Sequence, residues 1–207
     1  MYNEILKDRK EAGFLLSKKL KKYQNNKNTL ILAVPRGGVP VGYEIANRLH
    51  LSLDIVLSKK IGHPNNKEFA IAAVSMDSTL IDEHPEVPNE YIEKEIVRLR
   101  GLLQEKYKLY MGNRNPIEVK GKNIILVDDG IATGNTLLAC ISMLRKIKPA
   151  KIILAVPVLP FDKLDVFQKN TDEFVYLIAS KYFRGVGGFY EQFEQVEDEE
   201  VIRMLKL

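Results

Sequence analysis

The sequence predicts an α/β protein: a central, mostly parallel sheet with helices on both faces, plus a small inserted α+β hood. Three observations predict it. Short stretches of unbroken Ile, Leu and Val read as strands buried on both faces. They alternate with segments of helical periodicity, the rhythm of strand–helix–strand units. Glycine-containing polar loops stand where strands give way to helices, the edge of such a sheet at which ligands collect.

Taken in order, Thr29–Val34 is a branched apolar strand ended by Pro35. Val39–Leu49 is helical, with Val39, Tyr43, Ala46 and Leu49 on one face. Leu53–Leu57 is the next strand, and Asn123–Val127 another. Thr136–Lys148 is a helix that turns Leu137, Ile141 and Leu144 inward. Arg145, Lys146 and Lys148 suit the negative end of its dipole, and Pro149 stops it. Lys151–Val156 and Phe174–Ile178 complete the strands.

Residues 58–116 break this rhythm. A polar Gly/Pro/Asn stretch, Gly62–Lys67, precedes Phe69–Val74 and Thr79–Ile81, which can pair as a hairpin. A long helix then spans about Asn89–Tyr110, with an inward stripe of Ile92, Ile96, Leu99, Leu103 and Tyr107. Asn89 suits its N-cap, and Glu90 and Glu93 its first turn. The expectation is one domain over residues 1–207, with 58–116 inserted as a hood or lid.

At 207 residues the chain can bury roughly 70% of its unfolded surface. The net charge of +4 is mild and interspersed, unlike the footprint of a nucleic-acid binder. The single cysteine, Cys140, allows no intrachain disulfide, and His50, His63 and His84 have no paired metal spacing. Met1–Lys10 is polar and charged, and the apolar run Ile152–Phe161 is too short to span a membrane. A soluble, cytoplasmic protein without membrane or nucleic-acid partners is expected.

Two loops carry chemistry. Val127-Asp128-Asp129-Gly130-Ile131-Ala132-Thr133-Gly134-Asn135-Thr136 joins a strand to a helix N-terminus, where free N–H groups favour phosphate. Gly130 and Gly134 let the backbone curl, and Thr133 and Thr136 add hydroxyls. Carboxylates repel phosphate but accept from vicinal hydroxyls, so Asp128 and Asp129 beside the cradle suggest a sugar phosphate. A solvated turn with an N-cap would also have this pattern. A phospho-acceptor receiver would carry its acid pair on the first strand, and a P-loop would have Lys where Asn135 stands. Pro35-Arg36-Gly37-Gly38-Val39 is the second strand-to-helix loop, with Arg36 suited to phosphate oxygens. Lys59 and Lys60 follow a further strand and could meet a polyphosphate, with Gly62–Lys67 as a lid. Gly185-Val186-Gly187-Gly188 matches no dinucleotide fingerprint and reads as a flexible turn, and Glu194–Glu200 as a solvated helix start.

These residues carry a resemblance. Lys120-Gly121-Lys122 with Asn123–Thr136 resembles the 5-phosphoribosyl-1-pyrophosphate (PRPP) signature of type I phosphoribosyltransferases: apolar strand, two acids, small residue, Thr-Gly, then Thr. Pro35–Gly38 looks like that family's pyrophosphate loop. Lys60-Ile61-Gly62, Pro64, Glu68, Ala70 and Ile71, then Tyr182–Tyr190 and Phe193 to Leu205, resemble a bacterial group of unassigned substrate within it. Phe189 stands where that group suggests Trp, and Ala72 where it suggests Gly.

The resemblance implies the family's Rossmann-like sheet with a hood, and transfer of phosphoribosyl from Mg·PRPP to a nitrogen nucleophile, a nucleobase. It implies that Asp128 and Asp129 accept from the ribose hydroxyls and that Gly130, Ala132, Thr133, Gly134, Asn135 and Thr136 hold the 5-phosphate. Arg36, Gly37 and Gly38 would hold pyrophosphate, helped by Lys60 and Lys59. Asp128, Asp129, Lys60 and Arg36 are then the catalytic set. Mg²⁺ would ride mainly on ligand oxygens and water, without a dedicated protein site. A homodimer is a family expectation. The competing function is a non-catalytic PRPP-binding regulator.

Overall fold

The computed structural model describes residues 5–81, 84 and 86–206, and of Glu68 only the backbone. The first four residues of the polar N-terminal stretch, the Glu68 side chain and residue 207 therefore lie outside the described residues. The elements begin with α1 (Arg9–Lys19), β1 (Thr29–Ala33), α2 (Gly38–Leu49), β2 (Ser52–Ile55), β3 (Ser58–His63), β4 (Asn66–Ser75) and β5 (Thr79–Ile81). They continue with α3 (Asn89–Met111), β6 (Asn123–Val127), α4 (Asn135–Ile147), β7 (Lys151–Pro160), α5 (Leu164–Asn170), β8 (Glu173–Ser180) and α6 (Asp198–Leu205).

Five strands form one parallel sheet in the order β2-β1-β6-β7-β8. Alternate side chains of β1 and β6 feed opposite cores. Leu30, Leu32, Ile124 and Leu126 pack under α4 and α5, whereas Ile31, Ile125 and Val127 pack under α1 and α2. Neighbouring strands β1 and β6 thus send their following helices to opposite faces. The loops after them must diverge, which opens a crevice at the carboxyl ends of these two strands.

The antiparallel sheet β3-β4-β5 and α3 form a separate apolar layer, with Ile61, Ile71, Val74, Ile92, Leu99 and Leu103 buried together. The predicted hairpin pairs as β4 with β5. The stretch read as a polar lid loop is instead mostly strand, and only residues 64–65 form the turn between β3 and β4. Cross-strand hydrogen bonds satisfy a polar hairpin as well as water does, so polarity did not mark a loop here. The C-terminal helix α6 joins this layer through Val201 and Leu205. The buried Asp54 carboxylate ties the layer to β2, accepting from the Tyr107 hydroxyl at 3.0 Å and the Ile117 N–H at 2.8 Å. Burial holds that carboxyl above its usual range.

Two helices were not anticipated. The buried face of α1 is Ala12, Gly13, Leu16 and Ser17, too small and polar to show as an apolar stripe. Helix α5 has seven residues and buries only Phe167. No helix among the described residues is long and apolar enough to cross a membrane.

Candidate functional site

The crevice between β1 and β6 is built from the two glycine loops. After Val127, the Asp128 and Asp129 side chains are partly buried, and the Asp129 N–H donates to Asp128 Oδ1 at 2.8 Å. Gly134 caps α4 in the left-handed region, at φ +83°, and a Cβ there would lie 2.8 Å from the Phe167 ring. Glycine is required on both counts. The first bond of the helix runs from the Leu138 N–H to the Gly134 carbonyl, so the N–H groups of residues 135–137 have no partner within it. Ala132, Thr133, Asn135 and Thr136 are exposed around that N-terminus, an arrangement that suits an anion.

The second loop abuts the first. The Val34 N–H donates to the Val127 carbonyl at 2.8 Å, and the Pro35–Arg36 peptide is cis. A Cβ on Gly37 would lie 2.0 Å from Asp129 Oδ2, and one on Gly38 would lie 2.7 Å from the Val127 carbonyl oxygen. The missing side chains are what let the loops touch. The predicted pair of loops therefore forms one site, with the two aspartates at the seam.

Three residues that sequence reasoning missed complete it. Arg9 Nε and Nη2 reach Asp129 Oδ2 at 2.9 and 2.8 Å, and Nη1 donates to the Glu194 carbonyl at 2.9 Å. The Arg9 guanidinium lies 3.9 Å over the Phe193 ring. Phe193 stacks on Tyr190, whose hydroxyl donates to the Asp129 carbonyl at 2.7 Å. The only signal for Tyr190 and Phe193 was the resemblance of the chain's ending, and Arg9 had none. Nor is the 185–188 segment a free turn: Val186 packs against Gly130, and Gly187 meets the Phe193 ring.

Each aspartate thus has one oxygen committed within the protein. Among the described residues no N–H group donates to Asp128 Oδ2 or Asp129 Oδ1, and the two carboxyl side chains interact with each other. Burial, and then the neighbouring Asp129 charge, push the Asp128 carboxyl well above its usual range. A pair of open carboxylate oxygens at an anion cradle can receive two hydroxyls and stabilise positive charge beside them.

The acidic C-terminal segment is not merely solvated. Arg36 Nη1 lies 3.3 Å from Glu197 Oε2 and 3.6 Å from Asp198 Oδ1. Asp198 also accepts from Lys106 and Tyr110 of α3, both at 2.6 Å. An anion recruited by Arg36 must compete with these acids. Exposed pairs are worth up to about 1 kcal/mol. Glu197→Gln should therefore tighten the binding of an anion at Arg36 by up to about fivefold, read by calorimetry with inorganic pyrophosphate as the probe.

Arg9, Arg36, Gly37, Asp129 and Phe193 line one open cleft. Lys59 and Lys60 do not. They line a separate cavity of about 400 Å³ between the β3-β4-β5 sheet and α4, together with Asn135 and Thr136. The two lysines thus share that cavity with the first residues of α4. Among the described residues no three His, Cys, Asp or Glu side chains group as a metal site.

A family model described as "Phosphoribosyl transferase domain" matches residues 1–192. Proteins from Mycobacterium tuberculosis strains CDC 1551 and H37Rv, both provisionally named phosphoribosyl transferases, are 33% identical across 98% of this chain and 46% of theirs. The chain spans about half the length of these curated relatives. The solved structure of TT1426 from Thermus thermophilus is 34% identical, covers 97% of both chains and superposes with a TM-score of 0.85. A purine phosphoribosyltransferase from Pyrococcus horikoshii is 18% identical, over 91% of this chain and 92% of its own, at TM-score 0.50, a likeness of fold alone.

Proposed function

Because the chain belongs to the phosphoribosyl transferase domain family, we propose that it binds Mg·PRPP and transfers phosphoribosyl to a nucleobase nitrogen, releasing pyrophosphate. The observation that carries this reading is the contact between the two loops: two anion-suited loops meet at a seam holding two open carboxylate oxygens. A molecule with two phosphate groups flanking a diol matches that order. A monophosphate would leave one loop unused.

In this reading Asp128 and Asp129 accept from the ribose hydroxyls. Gly130, Ala132, Thr133, Gly134, Asn135 and Thr136 hold the 5-phosphate by backbone N–H groups and hydroxyls. Arg36, Gly37 and Gly38 hold the pyrophosphate. Lys60 and Lys59 help with the pyrophosphate, and the cavity that they line with Asn135 and Thr136 lets their charge favour an incoming anion. The layer formed by residues 58–116 acts as the hood.

The reaction breaks the bond from the anomeric carbon to pyrophosphate and forms one to the acceptor nitrogen. Positive charge builds on the ribose ring as the leaving group departs, as at any glycosidic centre. Fixed carboxylates beside the ring oppose that charge without reorganising. Arg36 opposes the negative charge on the departing pyrophosphate. Mg²⁺, which sheds water reluctantly, would be held mainly by the oxygens of the bound PRPP and by its own waters. When bound, the ion would neutralise pyrophosphate oxygens.

The test is calorimetric titration with Mg·PRPP, then pyrophosphate release with a panel of nucleobases. Saturable binding and release with at least one base are expected. Absence of binding at millimolar Mg·PRPP would refute the proposal. Binding without release for any base would favour a PRPP-sensing protein.

A further inference from the structure

We infer that Arg9 is a positioning residue, which fixes the Asp129 carboxylate so that one of its oxygens is left to receive a ligand hydroxyl. The inference rests on the sugar-phosphate reading of the site. Arg9 stands 120 residues before Asp129 and enters from the first turn of α1. Its guanidinium is defined in position and in plane. Two nitrogens meet one carboxylate oxygen, a third donates to the Glu194 carbonyl, and the flat group lies on Phe193. A planar fork of donors can satisfy all of these contacts together, and an ammonium cannot.

The same cluster grips the Asp129 backbone. Phe193 rests on Tyr190, and the Tyr190 hydroxyl holds the Asp129 carbonyl. The other side of the carboxylate is closed by Gly37. Side chain, main chain and flank of one residue are therefore held from three directions, and Oδ1 is the oxygen left open. The Arg9 and Asp129 side chains are 12% and 15% exposed, so water screens their attraction little. Without Arg9, the Asp129 carboxylate would lose both guanidinium contacts that fix its Oδ2.

A clasp that merely ties the chain ends together would look similar in the folded protein, but it would not act through Asp129. A double-mutant cycle separates the two. The 207-residue chain is titrated with Mg·PRPP and with ribose 5-phosphate. Arg9→Met should weaken both ligands by about tenfold or more, and Arg9→Lys should lose less than that but at least about threefold. In an Asp129→Asn background, Arg9→Met should add less than about twofold, because the group it orients is already altered. Should Arg9→Met fail to fold, Arg9→Lys carries the same comparison in both backgrounds.

The inference is overturned if folded Arg9 variants bind both ligands within about twofold of the wild type. It is equally overturned if the loss is as large in the Asp129→Asn background, since Arg9 would then act on the ligand directly or only on the fold. A wild type that binds no Mg·PRPP removes the proposed function and this inference with it. A wild type that binds, with indifferent Arg9 variants, removes this inference alone.

Discussion

Asparagine at both 128 and 129 should lower the affinity for Mg·PRPP by about 100-fold or more and leave no measurable transfer. A hydrogen bond to a charged group contributes about 1.5–3 kcal/mol, and two such bonds are altered at once. At about 1.4 kcal/mol per factor of ten, the loss spans about 10² to 10⁴. Transfer should suffer more than binding, because the full negative charge counts most when the ribose ring turns positive. Unchanged binding would sink the assignment of this seam to the sugar.

The single variants should part company in stability. Asp128 has its carboxyl held above the usual range by burial and by Asp129. For an acid with a raised folded-state pKa, the unfolded chain ionises first as pH rises. Above the unfolded pKa the native state is therefore penalised, and that penalty is present at neutral pH. Asp128→Asn removes it and should hold or raise Tm. Asp129→Asn strips Arg9 of its carboxylate partner and should lower Tm, since an unpaired, mostly buried cation is costly. A fall in Tm for Asp128→Asn would contradict this account. The same raised carboxyl makes ligand affinity fall on acidification at higher pH than an ordinary aspartate would.

Gly38→Ala should damage the fold more than the site, and Gly37→Ala should damage the site more than the fold. The Cβ of Gly38→Ala would lie 2.7 Å from the Val127 carbonyl oxygen and 2.9 Å from the Asp128 Cα. Both are backbone atoms, so the loops themselves must separate. A loss of about 2–3 kcal/mol is expected for such strain. For a chain of this size that is a fall in Tm of about 5–10 °C. The Cβ of Gly37→Ala meets only the far end of the Asp129 side chain, 2.0 Å away at Oδ2. The carboxylate can rotate aside, at the expense of its bonds to Arg9. Mg·PRPP affinity should drop about tenfold or more, and Tm should fall by less than in Gly38→Ala. Thermal unfolding and calorimetry on the two variants decide this. Equal Tm for both would show that the loops are not in contact in solution.

The glycine loops were legible because their signals are local. A strand that ends in Asp128-Asp129-Gly130, or in Pro35-Arg36-Gly37-Gly38, announces a turn into a helix N-terminus within ten residues of sequence. The α3 stripe of Ile92, Leu99, Leu103 and Tyr107 was legible for the same reason, as it repeats with the helical period. Unbroken apolar runs likewise gave the buried character of β1, β6 and β7.

Such local patterns say which residues are buried, and say nothing of what lies beside them. That β1 and β6 are neighbours, so that their two loops become one site, follows from the strand order β2-β1-β6-β7-β8, which crossovers and core packing decide. The seam of Asp128 and Asp129 against Gly37 and Gly38 exists only through that order. Arg9 could not be read at all, because α1 hides its buried face in Ala12, Gly13 and Ser17 and its partner lies 120 residues away. The sequence by itself determined the two phosphate-suited loops, since backbone freedom and helix ends are local properties. Only the tertiary structure decided that they touch, that Arg9 holds Asp129 between them, and that Glu197 and Asp198 occupy Arg36, since charge pairing across a crevice depends on distances no local pattern encodes.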